Sequence, residues 1–250
     1  MKFTRKIPKC GFIKQLPNDE STEQLFNIVG SIGKGSYSDV FLAIQQSDSN
    51  FCALKRIFKR RTQNETQQVE NEVDILSKCS HVNICRLLNA FETMSMYIII
   101  FEYANNGDLF HVIESAGKFN EYTAATITTQ VANAISYLHV HCIVHRDIKP
   151  ENLLLARDFT IKLADFGLAC VVHGPMYKIC GTPTYIAPEM LAEKGYGMEV
   201  DTWSLGIILH VMLVGYAPWQ CPDRRRLFQL ITLSRLSFEH HTWSTVSSGT

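Results

Sequence analysis

The sequence predicts an α+β chain with two unlike lobes, and three observations carry that reading. Strand-like runs crowd the first hundred or so residues and helical periodicities fill the rest, with the changeover near Glu102 to Asn106. A length of 250 residues fits one large domain or two closely packed lobes. Hydrophobic residues make up 46% of the chain, enough for a globular core, which excludes global disorder.

Taken in order, residues 1–24 read as a basic, weakly structured extension interrupted by Pro8 and Pro17. Residues 25–101 form the first lobe. Its strands are expected at 26–29, 40–44 and 51–55, with a Gly33-Lys34-Gly35 turn after the first and a polar hairpin at 45–50. The period changes over 62–79, where Val69, Val73 and Leu76 recur at helical spacing and Glu72 shares their face. The runs 87–91 and 97–101 are of strand length, and the second is apolar enough to be buried on both faces.

Residues 102–106 connect to the second lobe, 107–250. Helices are expected at 108–116 and 121–140, the longer one presenting Ile127, Val131, Ala134, Ile135 and Leu138 on one face. Short strands at 153–155 and 161–163 flank a polar turn at Arg157-Asp158, and two further helices cover 201–215 and 223–233. Residues 202–222 contain no Asp, Glu, Lys or Arg, but Ser204, His210, Gln220, Pro218 and Pro222 cut the apolar run short. A membrane helix needs about 20 predominantly apolar residues. A buried central helix is therefore expected, and no membrane span.

Charge and cysteine content narrow the function classes. Lys plus Arg and Asp plus Glu both number 24, a balance that argues against a nucleic-acid partner. Eight cysteines without a C-x-x-C pair are too dilute for a disulfide scaffold and give no zinc-ribbon pattern. Reduced thiols point to the cytosol or nucleus, with a cytoplasmic protein expected, and no apolar stretch follows Lys2, Arg5, Lys6, Lys9 and Lys14 as a secretory signal would require.

Three signals carry chemistry. In Gly33-Lys34-Gly35-Ser36-Tyr37-Ser38-Asp39-Val40, glycines between strands let backbone N–H groups approach phosphate oxygens. An ordinary hairpin turn fits that stretch equally well. Lys55 ends an apolar strand and Glu72 lies on an apolar helical stripe. Each is an awkward charge, and an ion pair between them resolves both, whether structural or functional. The third signal decides: His145-Arg146-Asp147-Ile148-Lys149-Pro150-Glu151-Asn152, then Asp165-Phe166-Gly167, then Ala187-Pro188-Glu189.

This ordered set resembles the eukaryotic Ser/Thr protein kinases, from about residue 25 onward. Asn71-Glu72-Val73-Asp74-Ile75-Leu76, Asn106-Gly107-Asp108-Leu109-Phe110 and Cys180-Gly181-Thr182-Pro183-Thr184-Tyr185 look most like the calcium/calmodulin-dependent group, doublecortin-like kinases especially. The resemblance implies the two-lobed kinase fold and transfer of the γ-phosphate of ATP to Ser or Thr hydroxyls of protein substrates. It implies a glycine-rich loop of Ile32, Gly33, Lys34, Gly35, Ser36, Tyr37 and Ser38 over the phosphates. Val40, Ala53 and Leu154 would line the adenine slot, with Phe101 as its gatekeeper. The backbone of Glu102 and Ala104 would contact adenine, and Asp108 the ribose. Lys55, held by Glu72, would neutralise the α- and β-phosphates. Asp165 and Asn152 would hold Mg²⁺. Asp147 would take or orient the substrate proton, and Lys149 would steady the γ-phosphoryl group.

Asp108, with Glu151 nearby, matches an acidic socket for a basic residue upstream of the target. Leu76, Leu87, His145 and Phe166 match core positions anchored on Asp201, and Thr182 a position that contacts Asp147 and Lys149. Lys178 stands where many relatives carry a phosphorylated Thr facing Arg146. Three other features are read as structural. His139, His141 and His145 are assigned to a helix end and the catalytic motif, Arg224-Arg225-Arg226 to a solvated face, and Cys170 and Cys180 to flanks of the activation segment. The family continues past the 223–233 helix with two helices, one bearing an Arg that pairs with the position of Glu189. The expectation is an incomplete helical lobe without the calmodulin-binding tail, so calmodulin is not supported as a partner. A catalytically weak or inert nucleotide-binding regulator is the alternative.

Overall fold

A computed structural model of the chain describes residues 10–35, 38–59, 63–192, 194–238 and 241–247. It divides into two compact units. Of the described residues, one unit holds those up to Ser80 together with Cys85–Tyr103, and the other holds His81–Ile84 and those from Ala104 on. The division falls between Tyr103 and Ala104, inside the connection read from the sequence. Asn83 shows why a short piece of the first stretch belongs with the second unit. Its amide donates to the Gln130 side chain and to the Ile161 carbonyl, both at 3.0 Å.

The first unit is a six-stranded mixed sheet with one helix. Its strands are β1 (Ile13–Gln15), β2 (Phe26–Lys34), β3 (Ser38–Gln45), β4 (Phe51–Phe58), β5 (Leu87–Glu92) and β6 (Met96–Glu102), in the order β1-β5-β6-β4-β3-β2. Strand β1 corrects the expected weakly structured lead-in: Ile13 to Gln15 pair in parallel with Ala90 to Glu92. The other pairings are antiparallel. Strand β2 runs through Gly30 and Gly33 rather than stopping at Val29, with register shifts at 28/30 and 31/33. Such bulges bend a strand and raise its twist without ending the pairing.

Alternation sorts the sheet into two faces. One face buries Ala43, Cys52, Leu54, Ile98 and Ile100 with Phe26 and Phe91 in a single apolar cluster. The opposite face carries Val40, Ala53, Lys55 and Phe101. Helix α1 (Gln63–Lys78) buries Val69, Glu72, Val73 and Leu76, the stripe that the sequence spacing implied. Residues 97–100 of β6 are buried on both faces, as their unbroken apolar run requires.

The second unit is mainly helical. It comprises α2 (Leu109–Ala116), α3 (Glu121–Val140), β7 (Ile143–Val144), β8 (Leu153–Leu155), β9 (Ile161–Leu163), β10 (Cys170–Val171), α4 (Pro188–Leu191), α5 (Glu199–Val214) and α6 (Arg224–Leu233). Asn120 caps α3 by accepting from the Thr123 N–H at 2.8 Å, and Asp223 caps α6 by accepting from the Arg226 N–H at 2.7 Å. Helix α5 is buried nearly all round, from Val200 to Val214, and packs against α3. Its end needs Gly215: φ is +88°, and an added Cβ would meet the Gly117 carbonyl oxygen at 2.6 Å. Among the described residues no helix is long and apolar enough to cross a membrane.

Candidate active site

In the sheet unit, register lines up the expected residues. Gly33 pairs with Val40, Val40 with Lys55, and Ala53 with Phe101. Paired residues and those two apart point to the same side, so Val40, Ala53, Lys55 and Phe101 share one face. Ile32, Gly33 and Lys34 end β2, Gly35 follows it, and Ser38 opens β3, while Glu102 closes β6. Ser36 and Tyr37 lie outside the described residues. Lys55 Nζ sits 3.0 Å from Glu72 Oε1 and 3.3 Å from Oε2. Glu72 is 2% exposed, so the pair satisfies an acid that burial alone would penalise.

In the helical unit, Asp147 is the hub. Its Oδ1 accepts from the Thr182 N–H at 2.9 Å and from the Thr182 hydroxyl at 2.8 Å. Its Oδ2 lies 3.1 Å from Lys149 Nζ, which also donates to Thr182 Oγ1 at 2.9 Å. Asn152 donates from Nδ2 to the Asp147 carbonyl oxygen at 2.9 Å. The strand pair β8–β9 and the Ala164 N–H, which donates to the Asn152 carbonyl at 2.9 Å, tie this loop to Asp165.

The loop is held in sparsely populated backbone conformations. Arg146 has φ +67° and Asp165 φ +60°. Non-glycine residues in this region cost on the order of 1–3 kcal/mol and need a surrounding that over-determines them. Asp201, fully buried on α5, supplies it for Arg146. Its carboxylate accepts from the His145 and Arg146 N–H groups at 2.9 Å each, with His139 Nε2 at 3.0 Å. His145 packs edge-on against Phe166 at 4.8 Å and reaches the Ala164 carbonyl at 3.1 Å. His141 instead bonds the Tyr137 carbonyl, so the histidines serve the scaffold.

The other side of Asp147 depends on Gly181. At φ +93° an added Cβ would lie 2.5 Å from the Arg146 carbonyl oxygen, so only glycine lets Thr182 come this close. Lys178 is exposed. Burial pushes the Cys170 thiol up, away from a reactive thiolate. Asp108 caps α2: its Oδ1 accepts from the His111 N–H at 2.9 Å, and the His111 ring Nδ1 lies 2.8 and 2.9 Å from the two carboxylate oxygens. Asp108 also bridges to Leu154, while Ala104 opens this unit.

Two residues here carried no signal in the sequence. Tyr196 and His111 each touch a motif residue, but neither belongs to a spaced pattern. Their contacts arise from a long-range fold-back and from a helical turn.

Residues 26–249 match the protein kinase domain. The chain is 40% identical over 231 residues to serine/threonine-protein kinase DCLK3 of Mus musculus, covering 90% of this chain and 29% of that protein. It is 38% identical over 247 residues to serine/threonine-protein kinase DCLK1 of Rattus norvegicus, covering 92% and 57%. With serine/threonine-protein kinase DCLK2 of Homo sapiens it shares 41% over 222 residues, covering 86% and 29%. The chain thus spans from under a third to somewhat over half the length of these relatives. With the ordered motifs and the match over residues 26–249, the chain belongs to the protein kinase domain family.

Proposed function

We propose that this chain is an ATP-dependent protein serine/threonine kinase that prefers a basic residue upstream of its target. The observation that carries the reading is the Asp147–Lys149–Thr182 constellation. It is a carboxylate oriented by two donors of one residue, beside an ammonium held by the same hydroxyl.

The chemistry follows from charge. Phosphoryl transfer forms one O–P bond at the substrate hydroxyl and breaks the bond from the γ-phosphorus to the β–γ bridging oxygen, which leaves with its electron pair on ADP. It needs positioning and compensation of charge more than covalent help. Asp147 orients the Ser or Thr hydroxyl and takes its proton. Lys149 compensates charge on the transferred group. On the sheet unit, Lys55 is aimed by Glu72 and matches the contact to the α- and β-phosphates, and Gly33 and Gly35 match the glycine-rich stretch of the protein kinase family. Val40, Ala53 and Phe101 share one face of the sheet, an apolar surface suited to adenine, and the family resemblance assigns Leu154, Asp108 and the backbone of Glu102 and Ala104 to further nucleotide contacts.

Mg²⁺ fits the donor set of Asp165 and Asn152. Asn152 commits its N–H group to the Asp147 carbonyl, and its amide oxygen, like the Asp165 carboxylate, is a hard ligand of the kind Mg²⁺ takes. Held there by the Asp165 carboxylate and the Asn152 amide oxygen, the ion would supply positive charge against the phosphates. The eight cysteines are all free, which supports a reducing, cytoplasmic setting. Transfer of labelled phosphate from Mg-ATP to a Ser peptide with an upstream Arg, abolished by chelating the metal, is the expected result. No transfer to any Ser or Thr peptide would overturn the reading.

A further inference from the structure

Tyr196 is 3% exposed and meets the activation segment at two levels. Its backbone exchanges two hydrogen bonds with Met176, both at 2.9 Å. Its phenol donates to the Lys178 carbonyl oxygen and accepts from Arg146 Nη1 at 3.4 Å. The rest of the Arg146 guanidinium is spent on the Leu168 carbonyl, at 2.9 Å from Nε and 2.6 Å from Nη2. One hydroxyl therefore joins the residue preceding Asp147 to the strand of chain that delivers Thr182.

We propose that the Tyr196 hydroxyl is a positioning group that fixes residues 178–182 so that Thr182 can hold Asp147, without a phosphate on the segment. The inference rests on the phosphotransfer reading of Asp147. Three features support it. Burial pushes the Tyr196 phenol up, so it stays protonated and keeps donating through neutral pH. The Lys178 side chain is exposed and offers no hydroxyl for a phosphate ester, while its carbonyl is the group that Tyr196 holds. Gly181 already sits against the Arg146 carbonyl, so little slack separates the Lys178 anchor from Thr182.

The test compares phosphatase-treated wild type with Tyr196→Phe, which keeps the ring and removes only the hydroxyl. The variant is expected to lose about tenfold in kcat while its KM for ATP stays within about twofold, the pattern of a lost transition-state arrangement. Hydrogen exchange at the amides of residues 178–182 should quicken in parallel. Equal kcat and equal exchange in the two proteins overturn the proposal. It also falls if Tyr196→Phe behaves as wild type and only Tyr196→Leu loses activity, since ring packing then explains the site. A Phe variant without a cooperative melt counts against it too, because a hydroxyl that tethers one segment cannot be required by the whole fold. If neither protein transfers phosphate, the kinase reading fails by itself. The exchange comparison still decides the tether: faster exchange in the variant supports it, unchanged exchange overturns it.

Discussion

Thr182 grips Asp147 twice through the same oxygen, with its backbone N–H at 2.9 Å and its hydroxyl at 2.8 Å from Oδ1. The two residues are far apart in sequence, so this contact registers whether the stretch around Thr182 is folded onto the loop that carries Asp147. Hydrogen bonds to charged groups are worth about 1.5–3 kcal/mol. Thr182→Ala should therefore lower kcat by roughly ten- to a hundredfold. Thr182→Ser keeps the hydroxyl and should retain most of the activity. Steady-state kinetics on the two variants check this, and equal losses would show that the hydroxyl is not what matters.

The Lys55–Glu72 pair separates stability from function. Removing one partner of a buried pair leaves an uncompensated charge, at a cost of about 3–5 kcal/mol. Lys55 keeps 15% of its side chain exposed, which places Lys55→Met near the lower end. That variant should melt at a lower temperature and bind ATP weakly. Adding Glu72→Leu should recover much of the melting temperature, because an apolar replacement of the whole pair removes the desolvation penalty. It should not recover ATP affinity. Joint recovery of both would contradict a phosphate-binding role for Lys55.

His111 gives the pH dependence a sign. Its pKa is raised, first by the hydrogen bond to Asp108, then by the charge of Asp108, with Glu114 adding to it. A raised folded-state pKa means that the imidazolium contribution is complete below about 6.5, the unfolded value, and fades as pH rises through the folded value. NMR titration should find the His111 midpoint above 6.5 and moved back towards it in Asp108→Asn. The imidazolium also neutralises the carboxylate assigned to an upstream basic residue. Preference for an Arg-containing peptide over its Ala counterpart should thus strengthen with pH in wild type, and respond less in His111→Ala.

Much of this was legible because it is written locally. The bounds of α3 follow from Asn120, a capping residue, and an apolar stripe of constant period. The Lys55–Glu72 pair follows from two charges that each fall on an apolar stretch, one ending a strand and one on a helical stripe. The parts that escaped are long-range. Strand β1 is three residues long and pairs with β5 from far along the chain, so neither its length nor its pattern announces it. Strand β2 continues past two glycines because bulges absorb them, where glycine ordinarily signals a stop. The segment His81–Ile84 joins the helical unit through the Asn83 amide, whose partners at Gln130 and Ile161 lie distant in sequence. Tyr196 reads as an unremarkable aromatic between two glycines until folding brings its hydroxyl to Lys178 and Arg146.

In the proposed reaction Asp147 handles the substrate proton, and one paired measurement separates that role from ATP binding. Asp147→Asn preserves the size of the side chain and an oxygen acceptor for Thr182, but removes the charge. Turnover of a Ser peptide with Mg-ATP and equilibrium binding of ATP should be measured on the same preparations. The expected result is a fall in kcat of at least about a hundredfold, with ATP affinity changed by no more than about twofold. Equal turnover by Asp147→Asn and wild type would contradict a proton-handling role for Asp147.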